Sequence, residues 1–324
     1  MAFETEQVKE RLRGVAVGVL TPFDQDGEID HWKIEENVAS LYDQGIRTFL
    51  AAANISEYHS LSQTERIAVT ETAVDALPTD ACVLAGVGGS TSAAQDLIRA
   101  YDDIGVDAMM VMPPDHTYIH EQGLLDYHRE LGTVSAAPLV PYIRGYEPSV
   151  EYLAQLTRLE CVVGIKYALE DAVTLGASIS AGADDVVWVN GLAEPYAVAF
   201  WAEGVEGFSA GVSNFRPEIG LALFAALSNE EWDRARDLRD LCLPYQNFRE
   251  GTGEDNSIAG AVSVPAVKQG LEFAGLHGGA VRDPIRSLTD HDHERLESLY
   301  SDLADGVDRL IDGYSLERIK YGTA

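Results

Sequence analysis

Eight short apolar runs rich in Val and Ala alternate with stretches that have apolar residues at helical spacing. Continuous apolar strands joined by helices are typical of a parallel sheet that is buried on both faces. Eight such units within about 210 residues favour a closed (β/α)8 TIM barrel, an α/β fold, over an open sheet. The strands are predicted at residues 14–20, 47–53, 82–87, 108–112, 138–142, 162–167, 186–190 and 206–210.

A doubly wound open sheet is the main alternative for this alternation. Its dinucleotide-binding members have a GxGxxG motif after the first strand. The glycine-rich segment of this chain, AGVGGST at residues 85–91, follows the third predicted strand and has a different spacing. We interpret it as tight backbone at the barrel mouth, with phosphate binding as the lesser alternative. Helices are predicted at residues 31–44, 63–76, 92–104, 121–134, 149–158, 169–181 and 196–203.

The alternation stops after residue 216, and the pattern becomes helical. We therefore predict two parts, a barrel over residues 1–216 and a C-terminal helical extension packed on the barrel over residues 217–324. A polar, glycine-containing loop is expected at residues 247–257. The helices of the extension are predicted at residues 218–227, 230–247, 259–274 and 291–310.

The charge of the chain disfavours polyanionic partners. Its 324 residues include 23 Lys and Arg against 53 Asp and Glu, a formal net charge of −30. A nucleic-acid binder needs a basic face, and anionic lipid would repel this surface. The hydrophobic fraction of 46% predicts a folded core. Because only 5 of the 23 basic residues are Lys, we predict a halophilic protein that works in concentrated salt, with an acidic mesophilic enzyme as the alternative.

Several classes of site find no support in the sequence. The cysteines Cys82, Cys161 and Cys242 are widely spaced and odd in number, which disfavours a disulfide framework or a CxxC metal site. The His- and acid-containing segments 120–131 and 290–300 do not match HExxH and read as solvated helix faces. We predict no metal and no cofactor. No apolar stretch is long enough to span a membrane, and a cytoplasmic location is expected.

Four places at predicted strand ends have reactive side chains, and the active site of this fold lies at the C-terminal ends of the strands. Lys166 ends an apolar strand, where burial would lower its pKa and favour a neutral amine nucleophile. Tyr142 ends the preceding strand and could move protons beside that amine. Glu57 follows the second strand, and Asp115–His116 follow the fourth. The alternatives are a lysine that reaches solvent and a tyrosine that only fills the barrel.

Five segments together resemble the dihydrodipicolinate synthase/N-acetylneuraminate lyase family in order and approximate spacing. They are TPFDQDGEID at 21–30, ANISEYHSLSQTER at 53–66, PYIRGYEPS at 141–149, GIKYA at 164–168 and GFSAGVSN at 207–214. The resemblance covers essentially the whole chain and agrees with the barrel that the periodicity predicts.

The resemblance implies a Schiff-base mechanism on a small 2-keto acid. Lys166 matches the imine-forming lysine, and Tyr142 matches the tyrosine that shuttles protons. Backbone N–H groups near Asn54 would hold the carboxylate, and the segment after strand eight would line the pocket. A homotetramer is also implied. The residues expected to bind substrate are Asn54, Ile55, Ser56, Gly207, Phe208, Ser209, Ala210, Glu194, His116 and Arg144.

Departures from the family pattern bear on the substrate. Family members that form dihydrodipicolinate usually have GTTGE after strand two. In this chain Ile55 stands in place of the second threonine of that motif. Their carboxylate-binding arginine after strand five is replaced by Glu147, with Arg144 three residues earlier. Glu194 and His116 could contact a polyol tail, and the segment lengths look most like the branch that dehydrates keto-deoxy-glucarate.

These features favour a lyase that acts on a 2-keto-3-deoxy sugar acid through an imine on Lys166, by dehydration or by retro-aldol release of pyruvate. One alternative is 4-hydroxy-tetrahydrodipicolinate synthase, which condenses pyruvate with aspartate semialdehyde. The other is a noncatalytic barrel that binds a keto acid, because a fold alone does not establish activity.

Overall fold

The computed structural model of the chain describes residues 3–314, so residues 315–324 of the predicted extension lie outside the described range. Eight parallel strands form a closed barrel in sequence order, and β8 closes the sheet against β1 through the pair Val15 and Phe208. The predicted TIM barrel is therefore confirmed. The strands are β1 (Val15–Gly18), β2 (Thr48–Ala51), β3 (Cys82–Val87), β4 (Ala108–Val111), β5 (Leu139–Ile143), β6 (Gly164–Tyr167), β7 (Val187–Asn190) and β8 (Gly207–Ser209).

Helices connect the strands and form the outer layer. Several begin at side chains that accept a backbone N–H, as Ser62 does from Glu65, Ser90 from Ala93 and Ser149 from Tyr152. The helices are α1 (Thr5–Leu12), α2 (His31–Asp43), α3 (Gln63–Ala76), α4 (Thr91–Ile104), α5 (Glu121–Gly132), α6 (Val150–Leu156), α7 (Ala172–Ala181), α8 (Glu194–Ala202), α9 (Pro217–Ser228), α10 (Trp232–Arg249), α11 (Ser263–Phe273) and α12 (Asp290–Tyr314).

The N-terminal helix α1 was not predicted, and it closes the lower end of the barrel. Val8 and Leu12 are buried and pack in one cluster with the inward-facing strand residues. Gly164 at the start of β6 leaves room for this plug, because a Cβ there would lie 2.7 Å from Leu12 Cδ1. Since α1 fills the N-terminal mouth, a ligand can approach Lys166 from the opposite, C-terminal mouth.

The C-terminal helices pack as a second layer beside the barrel mouth. The loop between α10 and α11 runs from residue 250 to 262, later than the predicted 247–257, because α10 continues to Arg249. A cluster of buried side chains, including Phe215, Tyr245 and Val267, joins these helices to the segment after β8. We propose to count α9 as the eighth helix of the barrel, because its Leu223 packs in the outer core of the barrel.

None of the helices in the described range is both long and apolar enough to cross a membrane.

Candidate active site

Lys166 lies on β6 with its side chain inside the barrel. Its strand neighbours Ile165 and Tyr167 pack outward against the helices, because side chains alternate along a strand. Lys166 is opposite Tyr142 on β5. Its Nζ is 3.9 Å from Met110 Sδ and 4.2 Å from the centroid of the Tyr142 ring. The amine is thus surrounded by apolar and aromatic groups, and Lys166 is 8% exposed.

This environment changes the protonation of the amine. Burial lowers the pKa of Lys166 from 10.5 to about 7, and the charge of the nearby Arg144 guanidinium acts in the same direction. An amine with a pKa near 7 is about half neutral at neutral pH. Lys166 can therefore act as a nucleophile toward a carbonyl carbon.

Tyr142 and Arg144 lie on the same side of Lys166. The Arg144 guanidinium donates a long hydrogen bond of 3.5 Å to the Tyr142 hydroxyl. The charge interaction with Tyr142 raises the pKa of Arg144, more than burial lowers it. The hydroxyl of Tyr142 is thus directed toward a cation while its ring faces the amine, an arrangement that can pass a proton between a ligand and the site.

A cavity of about 260 Å³ opens above Lys166 at the C-terminal end of the barrel. Asn54 and Ile55 form one wall from the short 3-10 helix after β2. In the described range no hydrogen bond uses the amide hydrogens of these two residues, and Asn54 Oδ1 is buried without a partner. Seven of the sequence-predicted residues line the cavity: Lys166, Tyr142, Arg144, Asn54, Ile55, Ser209 and Ala210.

Three predicted residues near these walls do not line the cavity. Phe208 points outward into the core between barrel and helices, since it alternates with the inward-facing Ser209. Gly207 lies at the lower end of β8, where a Cβ would approach Leu12 O to 2.1 Å. Ser56 is fully buried, and its carbonyl accepts a hydrogen bond from Thr21 Oγ1. The structure thus places all three behind the cavity surface.

Glu194, expected to bind substrate hydroxyls, is fully buried and not at the cavity surface. Its carboxylate accepts hydrogen bonds from the backbone of Gly211, Val212 and Ser213, from Ser213 Oγ and from Gln246 Nε2. With its oxygens occupied in this way, Glu194 holds the segment after β8 in place rather than facing a ligand.

The remaining candidates also lie away from the cavity. His116 is in an exposed loop, where its Nδ1 accepts a hydrogen bond from the Tyr118 amide, and the adjacent Asp115 is also exposed. Glu57 is buried and forms an ion pair of 2.5 Å with Lys268 of α11. Glu57 therefore fastens the extension to the barrel.

Sequence reasoning missed several parts of the cavity wall, among them Gly18 of β1 and Leu50 of β2. The turn after β7 contributes Gly191, where a Cβ would lie 2.7 Å from Ala168 Cβ and 3.3 Å from Lys166 Cγ, so this glycine leaves room for the end of β6 and was a usable signal. The extension contributes Arg249, Glu250, Ala259, Gly260, Ser263 and Val264. Nothing local in the sequence relates these residues to Lys166, because they reach the cavity only through the packing of α10 and α11.

In residues 3–314 no cluster of three His, Cys, Asp or Glu side chains is arranged to hold a metal ion. The prediction that the site uses no metal or cofactor stays a prediction.

Comparisons with known proteins give consistent results. A Streptomyces coelicolor protein named probable 5-dehydro-4-deoxyglucarate dehydratase 2 is 32% identical over 310 residues, which cover 93% of each chain. A Bacillus subtilis protein named probable 5-dehydro-4-deoxyglucarate dehydratase is 27% identical over 305 residues, covering 91% of this chain and 96% of that protein.

The fold is similar to that of solved relatives. A crystal structure of dihydrodipicolinate synthase from Oceanobacillus iheyensis has a TM-score of 0.88 at 26% identity, covering 93% of this chain and 100% of that chain. The sequence profile of the dihydrodipicolinate synthetase family matches residues 11–303. The resemblance found in the sequence is thereby confirmed, and the chain belongs to the dihydrodipicolinate synthetase family.

Proposed function

We propose that the protein is a Schiff-base lyase that dehydrates a 2-keto-3-deoxy sugar acid. The observation that supports this most directly is Lys166, a buried amine with a pKa of about 7 at the base of a cavity. The relatives named above act, by their names, on 5-dehydro-4-deoxyglucarate. Numbered from its keto end, that compound is a 2-keto-3-deoxy acid with a carboxylate at each end.

The first step is formation of the imine. The neutral amine of Lys166 attacks C2 of the keto acid, and the carbonyl oxygen leaves as water after protonation by the hydroxyl of Tyr142, the residue opposite Lys166 on β5. The amide hydrogens of Asn54 and Ile55, which have no acceptor among residues 3–314, are available to the C1 carboxylate. A protonated imine at C2 then withdraws electrons from C3.

The second step is elimination. Having given its proton to the leaving carbonyl oxygen, the Tyr142 oxygen takes the C3 proton, which gives an enamine. The electron pair of the enamine expels the C4 hydroxyl, which leaves as water with the proton that Tyr142 now returns. The proton released when water adds to the unsaturated imine restores the Tyr142 hydroxyl, so the protons balance. Hydrolysis of the unsaturated imine returns the amine of Lys166 and releases the keto product. No second carbon substrate is consumed.

The residue at position 55 disfavours synthesis of dihydrodipicolinate. Ile55 has no hydroxyl, and its Cγ2 would lie 2.1 Å from a Cβ on Gly18, so it packs directly on β1. A hydroxyl relay through this position is therefore absent. Homotetramer formation and a cytoplasmic location stay predictions, and light scattering during size-exclusion chromatography would test the first.

The test combines trapping with product analysis. Incubation with pyruvate and borohydride should add a covalent mass to a peptide containing Lys166, and Lys166→Met should abolish the adduct, while Lys33→Met, on α2, should retain it. Product analysis with a panel of 2-keto-3-deoxy acids then distinguishes three reactions, which are loss of water, loss of water with carbon dioxide, and release of pyruvate. A folded protein without an adduct would overturn the proposal. Turnover only with pyruvate plus aspartate semialdehyde would indicate the synthase, and binding without turnover would indicate the noncatalytic barrel.

A further inference from the structure

Two arginines line the cavity above Lys166 without an acidic partner. Arg144 follows β5, and Arg249 is the last residue of α10. Within residues 3–314 neither forms an ion pair with a carboxylate. In a chain of net charge −30, two cationic groups that face one cavity and remain unpaired are unusual.

Arg249 is the more unusual of the two because it is 7% exposed. Its Nη1 donates to Gln246 Oε1 at 2.5 Å and its Nη2 to Ser263 Oγ at 3.1 Å. Its Nε is buried, and no acceptor for it lies in the part of the chain that the structure describes. Burial lowers the pKa of Arg249, whereas the charge of Glu194 raises it. A buried cation with an unfilled donor is costly unless an anion completes its contacts.

A chain of hydrogen bonds fixes the position of Arg249. Gln246 donates to Glu194 and accepts from Arg249. The carboxylate of Glu194 is already occupied by the backbone after β8, so it orients the guanidinium through Gln246 without forming an ion pair with it. Glu194 and Gln246 are therefore positioning residues. Glu250, which also lines the cavity, is exposed, and water screens its charge.

We propose that Arg249, together with Arg144, binds the distal carboxylate of the substrate and makes the enzyme selective for dicarboxylic 2-keto-3-deoxy acids. The inference rests on the proposed function, because it assumes that Lys166 holds the keto end. The cavity of about 260 Å³ is just below the range of about 300–1,000 Å³ for drug-sized ligands, which suits a short diacid. Arginine is well matched to a carboxylate because its guanidinium can donate two parallel hydrogen bonds.

The test compares two substrates that differ only at the distal end, a 2-keto-3-deoxy aldarate and the corresponding aldonate. The wild type should prefer the aldarate in kcat/KM. Arg249→Gln should reduce that preference by about tenfold to a hundredfold, the range for one hydrogen bond to a charged group, and Arg249→Lys should restore part of it. Trapping of pyruvate on Lys166 should continue in Arg249→Gln, because pyruvate has no distal carboxylate.

Controls separate recognition from structural damage. Arg236→Gln changes an exposed arginine of the same helix, which pairs with Asp233, and should leave the preference unchanged. An equal loss toward both substrates in Arg249→Gln would overturn the inference, as would a wild type without preference. If Arg249→Gln does not fold, the inhibition constants of 2-ketoadipate and 2-ketohexanoate for the wild type can be compared, since only the first has a distal carboxylate. Equal inhibition by the two acids would overturn the inference. A wild type without a pyruvate adduct would instead overturn the proposed function.

Discussion

Replacing Met110 with glutamate should reverse the lowering of the Lys166 pKa, on which the proposed role of this amine as a nucleophile depends. Met110 is fully buried on β4, and its Sδ lies 3.9 Å from Lys166 Nζ. Glutamate places its carboxylate carbon at the position of that sulfur. An opposite charge within about 4–6 Å favours the charged form of a group and moves a pKa by about 1–3 pH units. Met110→Glu should therefore raise the pKa of Lys166 from about 7 toward its ordinary value.

The expected effect on imine formation follows from the neutral fraction of the amine. With a pKa of about 7, half of Lys166 is neutral at pH 7. With a pKa of about 9, roughly one molecule in a hundred is neutral at that pH. Imine formation at pH 7 should fall about fiftyfold and should recover as the pH rises above about 9. The measurement is the initial rate of imine formation with pyruvate, stopped by borohydride and followed by mass between about pH 5 and pH 10.

Met110→Gln is the matched control, because it has the same length and polarity without the charge. Its pH profile should rise near pH 7 like that of the wild type, even if its overall rate is lower. If the profiles of Met110→Glu and Met110→Gln rise at the same pH, the charge at this position does not control the amine. A wild-type rate that stays constant from pH 7 down to pH 5 would refute the reasoning from the start.

Three further changes test other parts of the structure. Glu194→Gln should destabilise the fold by about 3 kcal/mol in urea unfolding, because buried N–H donors after β8 lose their charged acceptor; Glu160→Gln at the surface should not. Lys268→Met should lower the free energy of unfolding by about 3–5 kcal/mol, because the Glu57 carboxylate stays buried without its ion-pair partner. Adding Glu57→Gln should recover part of that loss. Raising the KCl concentration should raise the melting temperature by screening the net charge of −30; an unchanged or falling melting temperature would contradict the predicted salt adaptation.

The barrel could be predicted from sequence because its strands are buried on both faces and read as unbroken apolar runs. The same property hides which strand residues point inward. Residues 207–210 were all expected at the pocket, but Phe208 faces the helices while Ser209 faces the cavity, as alternation requires. A strand that is apolar on both faces gives no sign of its inward face, so the assignment needed the three-dimensional register.

The acidic residues show a different limit of predicting a site from the sequence. Glu57 was considered for a functional role because it follows a strand end, and Glu194 because the family resemblance implies an acid that holds substrate hydroxyls after strand seven. In the structure each is buried, and each is occupied by partners distant in sequence, Lys268 for one and the segment after β8 for the other. A buried carboxylate must be paired or hydrogen-bonded wherever it lies, so position at a strand end does not separate a catalytic acid from a structural one.

Reaction and substrate choice come from different parts of this chain. Lys166 and Tyr142 are neighbours by strand pairing, and their chemistry needs only the barrel. Arg249 and Ser263 come from α10 and α11 and reach the same cavity by packing of the extension. Many surface arginines pair with acids three residues away, as Arg99 does with Asp96. Arg249 is kept from such pairing by burial, and under the proposed selectivity the distal carboxylate of the substrate completes its contacts, which would let an acidic protein bind a dianion.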